Sequence, residues 1–148
     1  MEREYVKRIG PYAGMEVISI KEASHGSALN PAEIEQVKRK EAEEILKKIE
    51  GEGSQKTRRT GLIIALDERG KQYTSPEFAK FILQSRDGGK NITFIIGGCY
   101  GLHSTILERT DMNLSLSKFT FTHEMIRQIL LEQLYRAFTI ISGKQYHY

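Results

Sequence analysis

Three groups of residues in the last third of the chain have the types that do chemistry. The first is a glycine turn, Gly97-Gly98-Cys99-Tyr100-Gly101, closing an apolar run from Ile92 to Ile96. Glycines at a strand's carboxyl end let a ligand come close to the backbone. The pattern is GGxxG rather than GxGxxG and lies late in the chain, so it does not specify a dinucleotide site. It reads either as a tight structural turn or as exposed amides under a nucleoside-bearing ligand without a bound phosphate. The second group is an extended run from Leu114 to Phe121, holding Leu116, Ser117, Lys118, Phe119, Thr120 and Phe121. It reads as an edge strand with Leu116, Phe119 and Phe121 packed. Its other reading is a backbone that wraps an adenine, with apolar side chains lining the pocket. The third group is the terminal Tyr146-His147-Tyr148. Terminal residues usually fray, but His and Tyr also stack on bases and move protons. Only Ser142 to Gln145 separate this tail from a helix, so its tether is short.

Three further side chains belong to the helix between these groups. His123 heads it, where the positive dipole end disfavours an imidazolium. It reads as a surface histidine or as a polar group facing a ligand. Arg127 and Arg136 are nine residues apart, half a turn out of phase, so they cannot share one small site in one subunit. Arg58 and Arg59 read as a solvated loop, with phosphate contact as the minority alternative.

The elements that must position these groups follow from pattern. Met15 to Ile20 alternates as a strand does. Asn30-Pro31-Ala32-Glu33 starts a helix by capping, with Ile34, Val37, Ile45, Leu46 and Ile49 on one face and Gly51 as its stop. Residues 51–61 form a basic connector. Leu62 to Leu66 is a short apolar run suited to a central strand covered on both faces. Asp67 to Gly70 reads as a turn. Thr74-Ser75-Pro76-Glu77 starts a helix running to about Ser85, and Asn91 to Ile96 is a strand. A helix from about His103 to Thr110 follows the glycine turn. The last helix begins at the cap Thr122 and stops at Gly143, with Ile126, Ile129, Leu130, Leu134, Ala137 and Ile141 as its stripe. Leu131 and Phe138 widen that stripe beyond the need of one core face. Strands alternating with helices predict an α/β domain with a mainly parallel sheet flanked by helices.

Bulk properties set limits. The 148 residues suit one domain with a real core. A charged fraction of 28% and a hydrophobic fraction of 39% are ordinary for a soluble globular protein. No apolar run reaches the ~20 residues of a membrane span, and the charged start MEREYVKRIG is not a signal peptide. The net charge of +3 permits RNA as a partner without arguing for it. Cys99 is the sole cysteine, so no disulfide forms within the chain and a reducing cytoplasm is the simplest compartment. No His/Cys cluster has zinc-ligand spacing, and no metal is expected.

Taken in order, IIGGCYGL, LSLSKFTFTHEMIRQILLEQLYRAF and the terminal YHY closely resemble the RlmH family. These are bacterial ribosomal RNA large subunit methyltransferases of the SPOUT class. The resemblance is dense from about Leu62 to Tyr148 and looser from Glu4 to Glu50. It implies transfer of a methyl group from S-adenosylmethionine to N3 of a pseudouridine in large-subunit rRNA. It further implies a single domain over 1–148, a C-terminal deep trefoil knot and a homodimer. Carried over by position, Leu66, Gly97 and the segment Leu116 to Phe121 match cofactor-binding positions. Tyr146 and His147 match the catalytic tail, and His123, Arg127 and Arg136 match positions near the RNA. Relative to the family pattern the chain starts inside the first helix, without the usual opening strand. It ends in Tyr148 where many relatives carry a basic residue. Two other readings stay open beside this one: a knotted enzyme acting on tRNA, and a non-catalytic RNA-binding assembly factor.

Overall fold

A computed structural model describes residues 1–22, 28–50 and 61–146. The expected connector with Arg58 and Arg59, the tail residues His147 and Tyr148, and part of the loop after Ile20 lie outside these residues. Among the described residues eight elements follow in order: α1 (Glu2–Ile9), α2 (Pro31–Glu50), β1 (Leu62–Lys71), α3 (Ser75–Asp87), β2 (Ile92–Ile95), α4 (Ser104–Leu107), β3 (Met112–Leu114) and α5 (His123–Ile141). The strands form one sheet in the order β2-β1-β3, and both pairings are parallel. The α/β class expected from the pattern is the class observed.

The central strand is buried because its core is Ile63, Ile64 and Ala65, each 5% exposed or less. Alternation divides these residues between two layers. Ile64 and Leu114 face the larger layer with Phe78, Ala79 and Ile82 of α3 and Leu130, Leu131, Leu134, Ala137 and Phe138 of α5. Ile9 of α1 completes it, and Tyr12 stacks on Phe138 at 5.6 Å. Ile63 and Ile95 face a smaller layer with Ala42 of α2 and Ile106 of α4. Fully burying a side chain of this size contributes roughly 1.5–3 kcal/mol.

The helices start where their capping residues stand. The Glu33 amide donates to Asn30 Oδ1 at 2.9 Å. At α3 the Glu77 amide donates to Thr74 Oγ1 at 3.2 Å, and the Thr74 amide donates to the Glu77 carboxylate at 2.8 Å. At α5 the Met125 amide donates to Thr122 Oγ1 at 3.4 Å. Such caps satisfy amides that have no partner inside the helix.

The structure corrects five expectations. Met15 to Ile20 forms no strand: it lies outside the sheet, with Val17 and Ile18 exposed. The expected turn at Asp67–Gly70 is an excursion within β1, which resumes so that both Leu66 and Lys71 pair with Leu114. Gly70 permits this, since a Cβ there would lie 2.6 Å from the Asn113 backbone. The extended run from Leu114 leaves the sheet at once; residues 115–121 are a loop. The helix after the glycine turn is a single turn. Finally, Leu131 and Phe138 are core residues of α5, while Ile126, Ile129 and Ile141 are only half-buried. The apolar stripe is therefore rotated from its expected centre.

Candidate active site

Three parallel strands end together, and their carboxyl edge collects the expected cofactor residues. Leu66 pairs with Leu114 near the end of β3. On the other side Ala65 pairs with Ile95, which leads through Ile96 into Gly97. The loop from Ser115 starts on the same edge, where the Ser115 amide donates to the Lys71 carbonyl at 2.9 Å. Ligands of open parallel sheets bind in the crevice outside the carboxyl ends of the strands. Leu66 and Leu116 pack against the larger core layer, so their positions are fixed from below.

The loop is shaped by its own serines. Ser115 Oγ donates to the Ser117 carbonyl at 2.9 Å. Ser117 Oγ accepts from the Phe119 amide at 3.0 Å, a local hydroxyl turn. Lys118 and Thr120 are exposed, and Phe119 stands out at 79% exposure. A ring left this open at the tip of a loop is available to cover something apolar.

Gly97 is a glycine for a local reason. A Cβ there would lie 2.8 Å from the Gly101 carbonyl carbon and 3.0 Å from the Leu102 amide nitrogen. The turn closes on itself through the Gly101 amide, which donates to the Gly98 carbonyl at 3.1 Å, with Gly101 at φ +82. Close packing of the turn thus explains the residue without a ligand. Beside it, the Glu41 carboxylate lies where a Gly98 side chain would be, and Cys99 is exposed. Burial, then Glu22 and Glu41, push the Cys99 thiol above its usual range, so it stays protonated.

The expected RNA-side residues do not gather. His123 Nε2 lies 3.5 Å from the Glu22 carboxylate. Arg127 is tied to α1: its Nε is 2.9 Å from Glu2, an ion pair without hydrogen-bond alignment. Arg136 is paired with Glu132 of its own helix, at 3.0 Å through Nε and 2.5 Å through Nη2. That hydrogen bond, ahead of the cost of burial, raises the Arg136 guanidinium further.

Tyr146 packs on α5. Its ring meets Tyr135 edge-on at 4.8 Å and lies 4.9 Å from the Arg136 guanidinium, while its hydroxyl donates to Glu132 at 3.4 Å. Burial first, and then the Glu132 charge, push the Tyr146 hydroxyl upward, so it serves as a donor rather than a base at neutral pH. Sequence reading passes over Glu132, although its i,i+4 spacing to Arg136 is a visible signal. It passes over Glu2 as Arg127's partner because that contact joins opposite ends of the chain.

A cavity of about 50 Å³ lies under α2, lined by Leu46, Ile49, Ile63, Ile95 and Ile106. It is too small for a nucleoside. An open groove of about 370 Å³ runs along Glu124, Met125, Arg127, Gln128 and Ile129 of α5. Neither is lined by Leu66, Gly97 or the loop. Among the described residues no group of His, Cys, Asp and Glu is placed to hold a metal ion, and no helix is long and apolar enough to cross a membrane.

Comparison with known proteins places this architecture. Residues 1–147 match the family model described as "Predicted SPOUT methyltransferase". A protein of Carboxydothermus hydrogenoformans named ribosomal RNA large subunit methyltransferase H is 46% identical over 97% of this chain and 86% of its own length. Proteins of the same name from Halothermothrix orenii and Geotalea daltonii are 44% and 39% identical, each over 98% of this chain and 87% and 86% of their own lengths. The chain is a methyltransferase of the SPOUT class and belongs to the ribosomal RNA large subunit methyltransferase H (RlmH) family.

Proposed function

We propose that this enzyme methylates N3 of a pseudouridine in large-subunit ribosomal RNA, with S-adenosylmethionine as donor. The observation that carries the reading is the convergence of Leu66, Gly97 and the loop 116–121 on one sheet edge, in a chain matched to the family along nearly its full length. The rRNA substrate comes from the relatives' shared name. The residues at the edge fit the donor. Among them Leu66, Leu116 and Phe119 offer apolar surface and the loop offers backbone groups, suited to an adenine and a thioether chain, and Phe119 can close over it. When bound, S-adenosylmethionine supplies an electrophilic methyl on a sulfonium.

The chain's part is to hold that methyl in line with N3 and to exclude water. Leu66, Gly97 and residues 116–121 would hold the donor, which would supply its methyl to N3 as N3 gives up its proton. His147 or a water accepts it, and Tyr146 holds the base. His123, Arg127 and Arg136 serve the RNA side. The loop 116–121 is read as part of the family's trefoil knot, and residues 1–148 as one cytoplasmic domain without a metal.

A homodimer completes this reading. The groove beside Met125 and Ile129 lies on α5, and Met125 is 49% exposed. In the same groove Gln128 Oε1 is buried without a donor among the described residues. A second copy covering this stretch would supply that donor and let the tail of one subunit reach the site of the other.

Calorimetry with S-adenosylmethionine and mass spectrometry of rRNA from a deletion strain test the reading. Binding of the donor together with loss of one methyl from large-subunit rRNA is expected. Donor binding with an unchanged rRNA methyl pattern and an altered tRNA would overturn the substrate. No donor binding would favour a non-catalytic assembly factor.

A further inference from the structure

Glu132 gathers several hydrogen-bond donors away from the sheet edge. On the helix it is about 200° from the buried Leu130, so it lies on the side turned from the core. Yet its side chain is only 22% exposed, as is that of Arg136. Four donors converge on its two oxygens: Arg136 Nε and Nη2 and the Tyr146 hydroxyl on Oε1, and Gln133 Nε2 on Oε2 at 2.8 Å. Gln133 in turn accepts from Ser75 Oγ at 2.8 Å. Ser75 opens α3, the helix that follows β1 at the carboxyl edge. A hydrogen-bonded chain therefore runs from that edge of the domain to the tail.

An ordinary surface i,i+4 pair would contribute only about 0.3–0.5 kcal/mol and do nothing else. This one is different in its connections. The backbone before Tyr146 is already pinned: the Lys144 amide donates to the Thr139 carbonyl at 2.9 Å, and the Tyr146 amide to the Lys144 carbonyl at 3.0 Å. With the ring held between Arg136 and Tyr135 and the hydroxyl held by Glu132, Tyr146 has little freedom left. Ring, hydroxyl and backbone contacts together hold Tyr146 in one place against α5.

We propose that Glu132 is a positioning residue for the reaction, the anchor that holds Tyr146 in its working place. This rests on the reading of Tyr146 and His147 as part of the active site. Glu132 touches neither donor nor nucleobase; it acts through Tyr146. It therefore governs turnover and not the affinity for either substrate.

The test compares Glu132→Ala and Glu132→Gln in the full chain with Glu132→Ala in a chain lacking Tyr146 to Tyr148. Turnover is measured on ribosomes from a strain without this enzyme, alongside S-adenosylmethionine affinity and Tm. Expected for Glu132→Ala is a fall in kcat of about tenfold or more, with KM for ribosomes and donor affinity unchanged. Glu132→Gln keeps an acceptor for Tyr146 but loses the charge facing Arg136, and should fall in between. In the tail-less chain Glu132→Ala should have no further effect, because the two changes act through one unit. Should Glu132→Ala not fold, Glu132→Gln alone decides by the same split between kcat and KM. Full kcat in both variants, a loss confined to KM or donor affinity, or an additive loss in the tail-less chain would each overturn the proposal. If the tail-less chain itself turns over normally, the catalytic-tail reading fails and the proposal falls with it. A crippled tail-less chain beside a fully active Glu132→Ala sinks the proposal alone.

Discussion

At the carboxyl edge of the sheet, position is set by backbone. Leu66 is held by pairing with β3, and Gly97 by a turn so close that no Cβ fits. At the far end of α5, position is set by side chains: Glu132, Arg136, Tyr135 and Tyr146 hold one another over a helix surface. Backbone pairing is shared by many residues and survives most substitutions. A side-chain cluster depends on each member. The edge should therefore carry donor binding and part of the fold, whereas the tail should carry turnover and little of either.

The sharpest break falls on the edge. Gly97→Val would force the backbone of Gly101 and Leu102 to move, and should abolish measurable S-adenosylmethionine binding and lower Tm. Gly89→Ala is the control. Gly89 sits at φ +68 beyond α3 with nothing within 4 Å of a built Cβ, so the change costs only strain, about 1–3 kcal/mol. It should lower Tm while leaving donor affinity intact. A folded Gly97→Val protein with normal donor affinity would remove the edge from the site.

Removing Tyr146 to Tyr148 tests the other region. Methyl transfer should fall by about 10²-fold or more, the scale of a lost acid–base or orienting group. Donor affinity and Tm should hardly change. Mixing tail-less subunits with Gly97→Val subunits should restore some activity, since one site of a mixed dimer receives both intact parts. Light scattering showing a stable monomer, or no recovery on mixing, would place tail and edge within one subunit.

The difference between the regions also explains what the sequence made legible. Thr122, Thr74 and Asn30 announce their helices because capping is local, decided within three residues. The apolar core of β1 announces a buried strand for the same reason. The full length of β1 does not show, because Gly70 lies against Asn113, forty-three residues on. Residues 114–121 look extended, yet only Met112 to Leu114 find a partner strand. The likeness of IIGGCYGL and the loop to a known family singled out Leu66, Gly97 and residues 116–121, and the strand pairings bring these to one sheet edge. Glu132 escaped because its meaning lies in Tyr146 and Ser75, which no spacing rule connects to it.

A milder change probes the edge without breaking the turn. Ser117→Ala removes the acceptor for the Phe119 amide, so the loop must be ordered by the ligand instead. Losing one such bond costs about 1 kcal/mol, or about a fivefold rise in donor Kd. Tm and kcat at saturating donor should be unchanged. An unaltered Kd would mean the loop's shape is held by pairing alone.

The smallest effect is expected at Asp67, and it marks where the edge ends. Asp67 follows Leu66 directly but belongs to the excursion of β1, where it accepts from the Arg69 amide at 2.8 Å and from its guanidinium at 2.8 and 3.0 Å. The guanidinium holds the Asp67 carboxyl below the usual carboxylate range, against the opposing effect of burial. A lowered folded-state value means the charged form stabilises the fold. That contribution is complete above the unfolded value of about 3.9 and is lost as pH falls below it through the lowered folded-state value. Asp67→Asn should therefore cost a little Tm at pH 7, and the two melting curves should merge in acid. Arg69 is 76% exposed, so solvent and salt screen most of the attraction and the loss at pH 7 stays slight. Donor affinity and turnover should stay within about twofold of wild type, because the pair closes a local loop and does not hold Leu66, whose place is fixed by Leu114 and the core. A tenfold loss of donor affinity in Asp67→Asn would extend the binding edge past Leu66. Backbone pairing alone would then no longer account for how the edge is built.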